Sequence, residues 1–407
     1  MKKMLIIEDD QIVGNIYRHK FQVEGFQVAL ATDGEAGLTA VKESKPDVVI
    51  LDLMLPKLNG VEILKKMRAE PATKLIPVIV LSNAYLSSLV QEAWKAGANH
   101  CMIKASCTPR QLVELVNRTL SSSAPVEPAR AAAAAASKSG QPGGASTTAS
   151  RQTRSPGAVE DDTAFQAELR QTFLNSAQEH VTQLRGMLQA FIKSEGDTAR
   201  LPRLFALYRK VHSLTSNSAV AGLTGVAKMS SALEALLKEL YEKPKNINAS
   251  TMRTVAHTID FLAILLEHSS TQDPESLPPP NIMVVDDEAI SRRAVIYALE
   301  KANLKCVSVE DPKTALTMLS ENQFDLIFLD VDMPGMSGFE LCTKLRALPG
   351  HARTPVVFVT GLTDFESRAR STLSGGNDLI AKPFLFMELA VKALTYVLKG
   401  QTGIVRT

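Results

Sequence analysis

Short apolar runs that end in polar residues recur along the first hundred positions, as MLII, QVALA, DVVIL, PVIVL and HCMIK. Their length and β-branched content predict five strands buried on both faces, the pattern of a parallel sheet. Between and after them, amphipathic stretches near Ile12 to Glu24, Gly34 to Ser44, Val61 to Ala69, Leu86 to Ala96 and Pro109 to Leu120 predict five helices. Five alternating strands and helices predict a flavodoxin-like, doubly wound α/β domain over residues 1–122.

The pattern then changes twice. Residues 123–160 are rich in Ala, Ser, Gly, Pro and Thr, include six consecutive alanines from Ala131 to Ala136, and predict a flexible tether. From Phe165 to Phe191, apolar residues recur every three or four positions, which predicts one long helix broken at Gly196-Asp197. Further helical patterns cover Pro202 to Val220, Leu223 to Tyr241 and Asn248 to Ser269, so residues 161–270 predict an all-α, antiparallel four-helix bundle. A Pro-rich connector over 271–280 precedes NIMVV, which restarts the α/β pattern over residues 281–400.

The two α/β segments carry the same chemistry in register. Glu8-Asp9, Asp52, Ser82 and Lys104 recur as Asp286-Asp287, Asp330, Thr360 and Lys382 at a constant offset of 278. Each of these groups falls at or just beyond a strand end, so all should meet at the carboxyl edge of one sheet, where open α/β folds bind ligands. Converging carboxylates resist full ionisation unless a cation joins them. Mg²⁺ is the fitting ion, held by Asp9 and Asp52 with Glu8 acting through water. A phosphoryl group approaching Asp52 would then find its charge countered, with Lys104 as a second positive contact and Ser82 as a hydrogen-bond donor. A lone strand-end aspartate is more often a cap or turn residue; two complete sets at equal spacing outweigh that reading.

Composition narrows the partners. Lys+Arg 45 against Asp+Glu 43 gives a net charge of +2, which offers no general reason to expect nucleic acid or an acidic membrane as partner. Cys101, Cys107, Cys306 and Cys342 form no CxxC pair or metal-spaced cluster, and they fit buried thiols in a reducing cytoplasm. No apolar stretch of about 18 residues is present, so a cytoplasmic, soluble chain is expected.

The motif blocks IIEDD, LDLMLPKLNG, VLSNA and IKA, and then VVDDE, LDVDMPGMSG, VTGL and AKPF, resemble those of the receiver domain of two-component response regulators. The resemblance implies that Asp52 and Asp330 accept phosphate, that the backbone carbonyls of Met54 and Asp332 complete the Mg²⁺ shell, and that Ser82 or Thr360 turns toward the phosphate. Two positions depart from it. Lys382 is followed by the expected Pro383, often in a cis linkage, whereas Lys104 is followed by Ala105; the aromatic switch residue is replaced by Cys101 and Leu379. Asp330-Val331-Asp332 is also similar to the DxD nucleophile motif of haloacid-dehalogenase-type phosphatases. Their extra acids follow the lysine, however, whereas Asp286-Asp287 precede the nucleophile here.

Within the bundle, His212-Ser213-Leu214, Leu223 and Leu233-Glu234 resemble the histidine phosphotransfer (HPt) motif, with Thr215 in place of its lysine and Ser216 in place of its glycine. The stripe Leu204, Leu207, Val211 and Leu214 leaves His212 beside the core and able to face solvent. The combined expectation is a phosphoacceptor and phosphotransfer protein, not an ATP-dependent enzyme, that takes phosphoryl groups from a sensor histidine kinase and passes them through His212 toward a downstream response regulator. The alternative is a phosphorylation-controlled adaptor whose bundle only docks partner proteins.

Overall fold

The structure is a computed structural model that describes residues 1–82, 87–104, 107, 109–121, 167–194, 196–269, 278–361, 371 and 373–402. The expected tether over 123–160, most of the connector over 271–280, and Ala105 lie outside the described residues. The chain divides into two compact units, one containing the first sheet and the other containing most of the middle helices with the second sheet.

In the first unit, β1 (Lys3–Ile7), β2 (Gln27–Ala31), β3 (Val48–Asp52), β4 (Val78–Ser82) and β5 (His100–Ile103) form one sheet in the order β2-β1-β3-β4-β5. Every pairing is parallel. Successive side chains point to opposite faces. Leu5, Ile7, Val49, Leu51, Val78 and Val80 therefore enter one core layer, and Met4, Ile6, Val48, Ile50, Ile79 and Leu81 enter the other. Burial on both faces explains why the strands read as unbroken apolar runs. The helices are α1 (Gln11–Val23), α2 (Gly34–Ser44), α3 (Gly60–Ala69), α4 (Ser87–Lys95) and α5 (Pro109–Ser121). Asp10 caps α1, accepting from the backbone N–H groups of Ile12 and Val13, so this third acid of the run has a structural task.

In the middle segment, residues 167–175 precede a turn at Ser176, followed by α6 (Ala177–Ile192), α7 (Asp197–Val220), α8 (Thr224–Glu242) and α9 (Ala249–His268); all of it but residues 167–173 and 219–222 falls in the second unit. The single long helix expected before Gly196 is thus interrupted at Ser176. Pro202 lies inside α7 instead of opening it, five residues into the helix, where its missing N–H forgoes one backbone bond. Asn248 opens α9 with a reciprocal capping box to Thr251.

The second sheet contains β6 (Ile282–Val285), β7 (Cys306–Val309), β8 (Leu326–Asp330), β9 (Val356–Thr360) and β10 (Asp378–Ala381) in the order β10-β9-β8-β6-β7. This is the first topology read from the other edge. Its described helices are α10 (Ala289–Lys301), α11 (Pro312–Glu321), α12 (Gly338–Arg346) and α13 (Phe386–Thr402). One side of α13 joins the sheet core through Leu389, Ala390, Ala393 and Val397. Its other side meets the bundle, where Glu388 accepts from Ser250 and Thr254 of α9 and Thr395 lies 3.6 Å from Met229 of α8. No helix among the described residues is long and apolar enough to cross a membrane.

Candidate functional site

Each sheet brings its predicted residues to one edge. In the second copy Asp286 follows β6, its N–H donating to Val309 O at 3.1 Å, while Asp330 ends β8 and Thr360 ends β9. The Lys382 N–H donates to Thr360 O at 2.7 Å, which places the lysine next to the hydroxyl residue, and the Lys382-Pro383 peptide is cis. Lys382 Nζ lies 3.1 Å from both Asp286 Oδ2 and Asp330 Oδ1. Carboxylate oxygens of Asp286, Asp287 and Asp330 fall within 4.8 Å of one another. Three carboxylates against one ammonium leave a net negative cluster of hard oxygen donors, so the residues present fit Mg²⁺.

Electrostatics follow from this crowding. Burial pushes the Asp330 carboxyl above its ordinary value; Lys382 pulls it back in part and Asp286 adds to the rise. Burial alone would lower the pKa of Lys382, yet the facing Asp286 and Asp330 hold it above the ordinary lysine value. The Val331 N–H donates to Asp330 Oδ1 at 2.8 Å and fixes one acceptor oxygen.

The first copy is tighter. Lys104 Nζ lies 2.6 Å from Asp52 Oδ2 and within 2.8–2.9 Å of both Glu8 carboxylate oxygens. Its side chain is 1% exposed, against 22% for Lys382. Glu8 is therefore engaged directly by the lysine. Asp9 and Asp52 present oxygens within 4.8 Å of each other, which keeps a cation-compatible pair in this pocket as well. The Met54 N–H donates to Asp52 Oδ1 at 3.0 Å, and Ser82, fully buried, ends β4. Asp332, counterpart of Met54, is exposed.

Two groups escaped the sequence reading. Ser291 Oγ donates to Asp286 Oδ2 at 2.5 Å and orients that acid from the first turn of α10. Gly60 and Gly338 open the helices after the acceptor loops, where an added Cβ would sit 2.2 Å from Asp52 O and 2.0 Å from Asp330 O. The glycine in LNG and MSG is thus a steric requirement of the site. The cysteines behave as structural thiols: burial pushes Cys101 and Cys107 up to about 12 and Cys306 up to about 11.

His212 differs from its expectation. It is 8% exposed, not open to solvent, and Glu234 Oε1 lies 2.9 Å from its Nδ1. A carboxylate can only accept, so Nδ1 carries a proton, and in the neutral ring Nε2 then holds the lone pair. The buried stripe around it is wider than its apolar positions predict. Thr215 and Ser218 are buried as well, because each hydroxyl donates to a carbonyl one turn earlier in its own helix.

Comparison with known proteins decides the family. The response regulator receiver domain model matches residues 4–117 and 282–394, more than half of the chain. The chain belongs to the response regulator receiver family. The Hpt domain model matches residues 168–272, between the two receivers. Protein RcaC of Microchaete diplosiphon is 36% identical over 123 residues, covering 30% of this chain and 19% of that protein. The phosphate regulon transcriptional regulatory protein PhoB of Rhizobium meliloti is 30% identical over 128 residues, covering 31% of this chain and 56% of that protein. The match thus spans about a fifth to about half of those relatives' length. Among solved structures, the chemotaxis response regulator CheY4 of Vibrio cholerae is 29% identical, covers 30% of this chain and 99% of its own, and superposes with a TM-score of 0.28. Receiver and Hpt domains are phosphoacceptor and phosphotransfer modules of two-component phosphorelay signalling, and this chain combines two of the first with one of the second.

Proposed function

We propose that Asp52 and Asp330 are the phosphoacceptors of a receiver-Hpt-receiver relay, organised as receivers over 1–122 and 281–400, a bundle over 161–270, and linkers over 123–160 and 271–280. The observation that carries this reading is the Lys382 ammonium, 3.1 Å from both Asp286 and Asp330 in a pocket with an excess of carboxylate. An Asp330 carboxylate oxygen attacks the phosphorus of a phosphohistidine donor. The phosphoryl-nitrogen bond breaks, and its electron pair leaves with the donor imidazole. Lys382 counters charge on the phosphoryl oxygens and Thr360 donates to one of them. Asp52, Lys104 and Ser82 do the same in the first pocket. Asp9, Asp52 and the Met54 carbonyl, and Asp286, Asp287, Asp330 and the Asp332 carbonyl, would hold Mg²⁺, which supplies charge neutralisation at the transferring group.

His212 is the relay nucleophile in this reading, its Nε2 lone pair set by the Nδ1 contact to Glu234. Sensor histidine kinases supply the phosphoryl group and a separate response regulator receives it. A second reading, an adaptor whose bundle only docks partners, is favoured by Thr215 and Ser216, which stand where the resembled motif has lysine and glycine. The two part in one experiment. The chain and its Asp52→Asn, Asp330→Asn and His212→Gln variants receive a phosphodonor, and acid-stable and acid-labile label are followed. Acid-labile label that vanishes in His212→Gln supports the relay, and its absence from the unaltered chain leaves the adaptor. Loss of all aspartyl label is expected in a variant that combines Asp52→Asn with Asp330→Asn; label that persists there removes the acceptor assignment.

A further inference from the structure

Hydroxyls are buried along α7 and α8 around His212, and most satisfy themselves in one way. Thr215 Oγ1 donates to Val211 O at 2.9 Å, Ser218 Oγ to Leu214 O at 2.7 Å, and Ser230 Oγ to Val226 O at 2.8 Å. This is the bond to the carbonyl four residues earlier that a helix offers serine and threonine. Ser216 does not make it. It is 1% exposed and its Oγ has no hydrogen-bond partner, although the His212 carbonyl stands at the same offset. A buried hydroxyl without a partner is destabilising, and turning onto the local carbonyl would relieve it. A second such hydroxyl, that of Ser231, lies on α8 at about the level of Ser216, in the antiparallel register that the His212–Glu234 contact sets.

Placement adds the second half of the argument. Residues four apart share a helix face, with Cβ atoms about 5–6 Å from each other. Side chains lean toward the helix N-terminus, so Ser216 covers the turn that carries His212. The resembled motif has glycine here, which has no hydroxyl to offer. This chain therefore places an unspent donor one turn beyond a histidine whose Nδ1 is already committed to Glu234.

We propose that Ser216 is a phosphoryl-binding residue, its Oγ–H donating to an oxygen of the phosphoryl group carried on His212 Nε2. The inference rests on the relay reading of His212 given above. In the step it serves, the Nε2 lone pair attacks the phosphorus of an aspartyl phosphate. The nitrogen-phosphorus bond forms as the acyl phosphorus-oxygen bond breaks, and that electron pair leaves with the aspartate carboxylate. Nδ1 keeps its proton, Glu234 counters the positive charge that develops on the ring, and Ser216 shares its hydrogen without giving it up.

The test uses the full chain labelled with acetyl phosphate and Mg²⁺, and reads the half-life of the His212-dependent, acid-labile label. Ser216→Ala and Ser216→Gly should shorten that half-life on the order of tenfold, the effect of losing one charge-assisted hydrogen bond. Ser216→Thr, which keeps a hydroxyl, should hold it near the unaltered value. The melting temperature of Ser216→Ala should be unchanged or raised, because the substitution removes a buried donor without a partner; a merely structural role would lower it. An unchanged half-life in Ser216→Ala overturns the role of Ser216 alone. Absence of His212-dependent label in the unaltered chain overturns the relay reading, and this inference with it.

Discussion

Glu388, near the start of α13, accepts a hydrogen bond from Ser250 Oγ of α9 at 2.6 Å, and a second from Thr254 Oγ1 at 3.1 Å. The carboxylate is 4% exposed, so these donors stand in for the water it has lost. Glu388→Ala leaves Ser250 without its acceptor and opens a gap between the second receiver and the bundle. A loss of about 1–3 kcal/mol is expected. The chain has one tryptophan, Trp94, in the first unit. Urea unfolding followed by far-ultraviolet circular dichroism should therefore shift to lower midpoint while the Trp94 fluorescence transition stays in place. Equal shifts in both signals would show that the contact is not local to the second unit.

Lys104 is the buried counter-ion of Asp52 and Glu8, and its charged form is held well above the ordinary lysine range by those two acids despite the opposing cost of burial. Lys104→Met strands two buried carboxylates, at about 3–5 kcal/mol. Lys382→Met should cost less because that lysine is partly solvated. Magnesium titration separates packing from charge: millimolar Mg²⁺ should restore much of the stability lost in Lys104→Met, and no recovery would mean that the aliphatic stem, not the charge, holds the pocket.

Glu234 fixes the tautomer of His212 through Nδ1. Glu234→Gln keeps an acceptor oxygen but removes the negative charge that faces the ring in transfer, and should slow His212 labelling about tenfold with little effect on labelling of Asp52 or Asp330. Nitrogen-15 spectra of the imidazole should show a mixed tautomer population in Glu234→Ala. A single Nδ1-protonated form persisting in that variant would assign the tautomer to other neighbours.

Asp330 has its carboxyl pKa raised, first by burial, with Lys382 opposing and Asp286 reinforcing the shift. The folded chain thus binds this proton more tightly than the unfolded chain does. The cost of the ionised group is present at neutral pH and is relieved as pH falls through the folded pKa toward the unfolded one, about 3.9. Without Mg²⁺, Asp330→Asn should be more stable than the unaltered chain at pH 7, and the difference should shrink on acidification. Labelling of Asp330 in an Asp52→Asn background should fall off at a higher pH than an ordinary aspartate would set, and Mg²⁺ should move that fall to lower pH. An acid limb that Mg²⁺ leaves in place would separate the cation from this carboxylate.

The pattern of apolar runs foretold the first sheet almost to the residue, because a strand buried on two faces must be apolar throughout, and NIMVV foretold the opening strand of the second. The pockets were equally legible, since Asp52, Ser82 and Lys104, like Asp330, Thr360 and Lys382, fall at or just beyond strand ends that the fold aligns at one edge. Ser291 was hidden because its task depends on the rotation of α10, which spacing alone does not give. The signal for α13 was present but unused: Leu389 to Leu398 is apolar on nearly every side, the mark of a helix covered on more than one face.

By itself the sequence determined the two receiver folds, the helical middle segment and the identity of the acids, hydroxyls and lysines at each site, because strand burial and strand-end placement are written in local order. Only the tertiary structure decided that His212 is buried against Glu234, that Lys104 is more deeply enclosed than Lys382, and that α13 is shared between the second receiver and the bundle. Those outcomes depend on which helix faces meet across 22 to 138 residues of chain. A helix stripe shows that a face seeks cover, but not which face covers it or which polar groups are enclosed on the way.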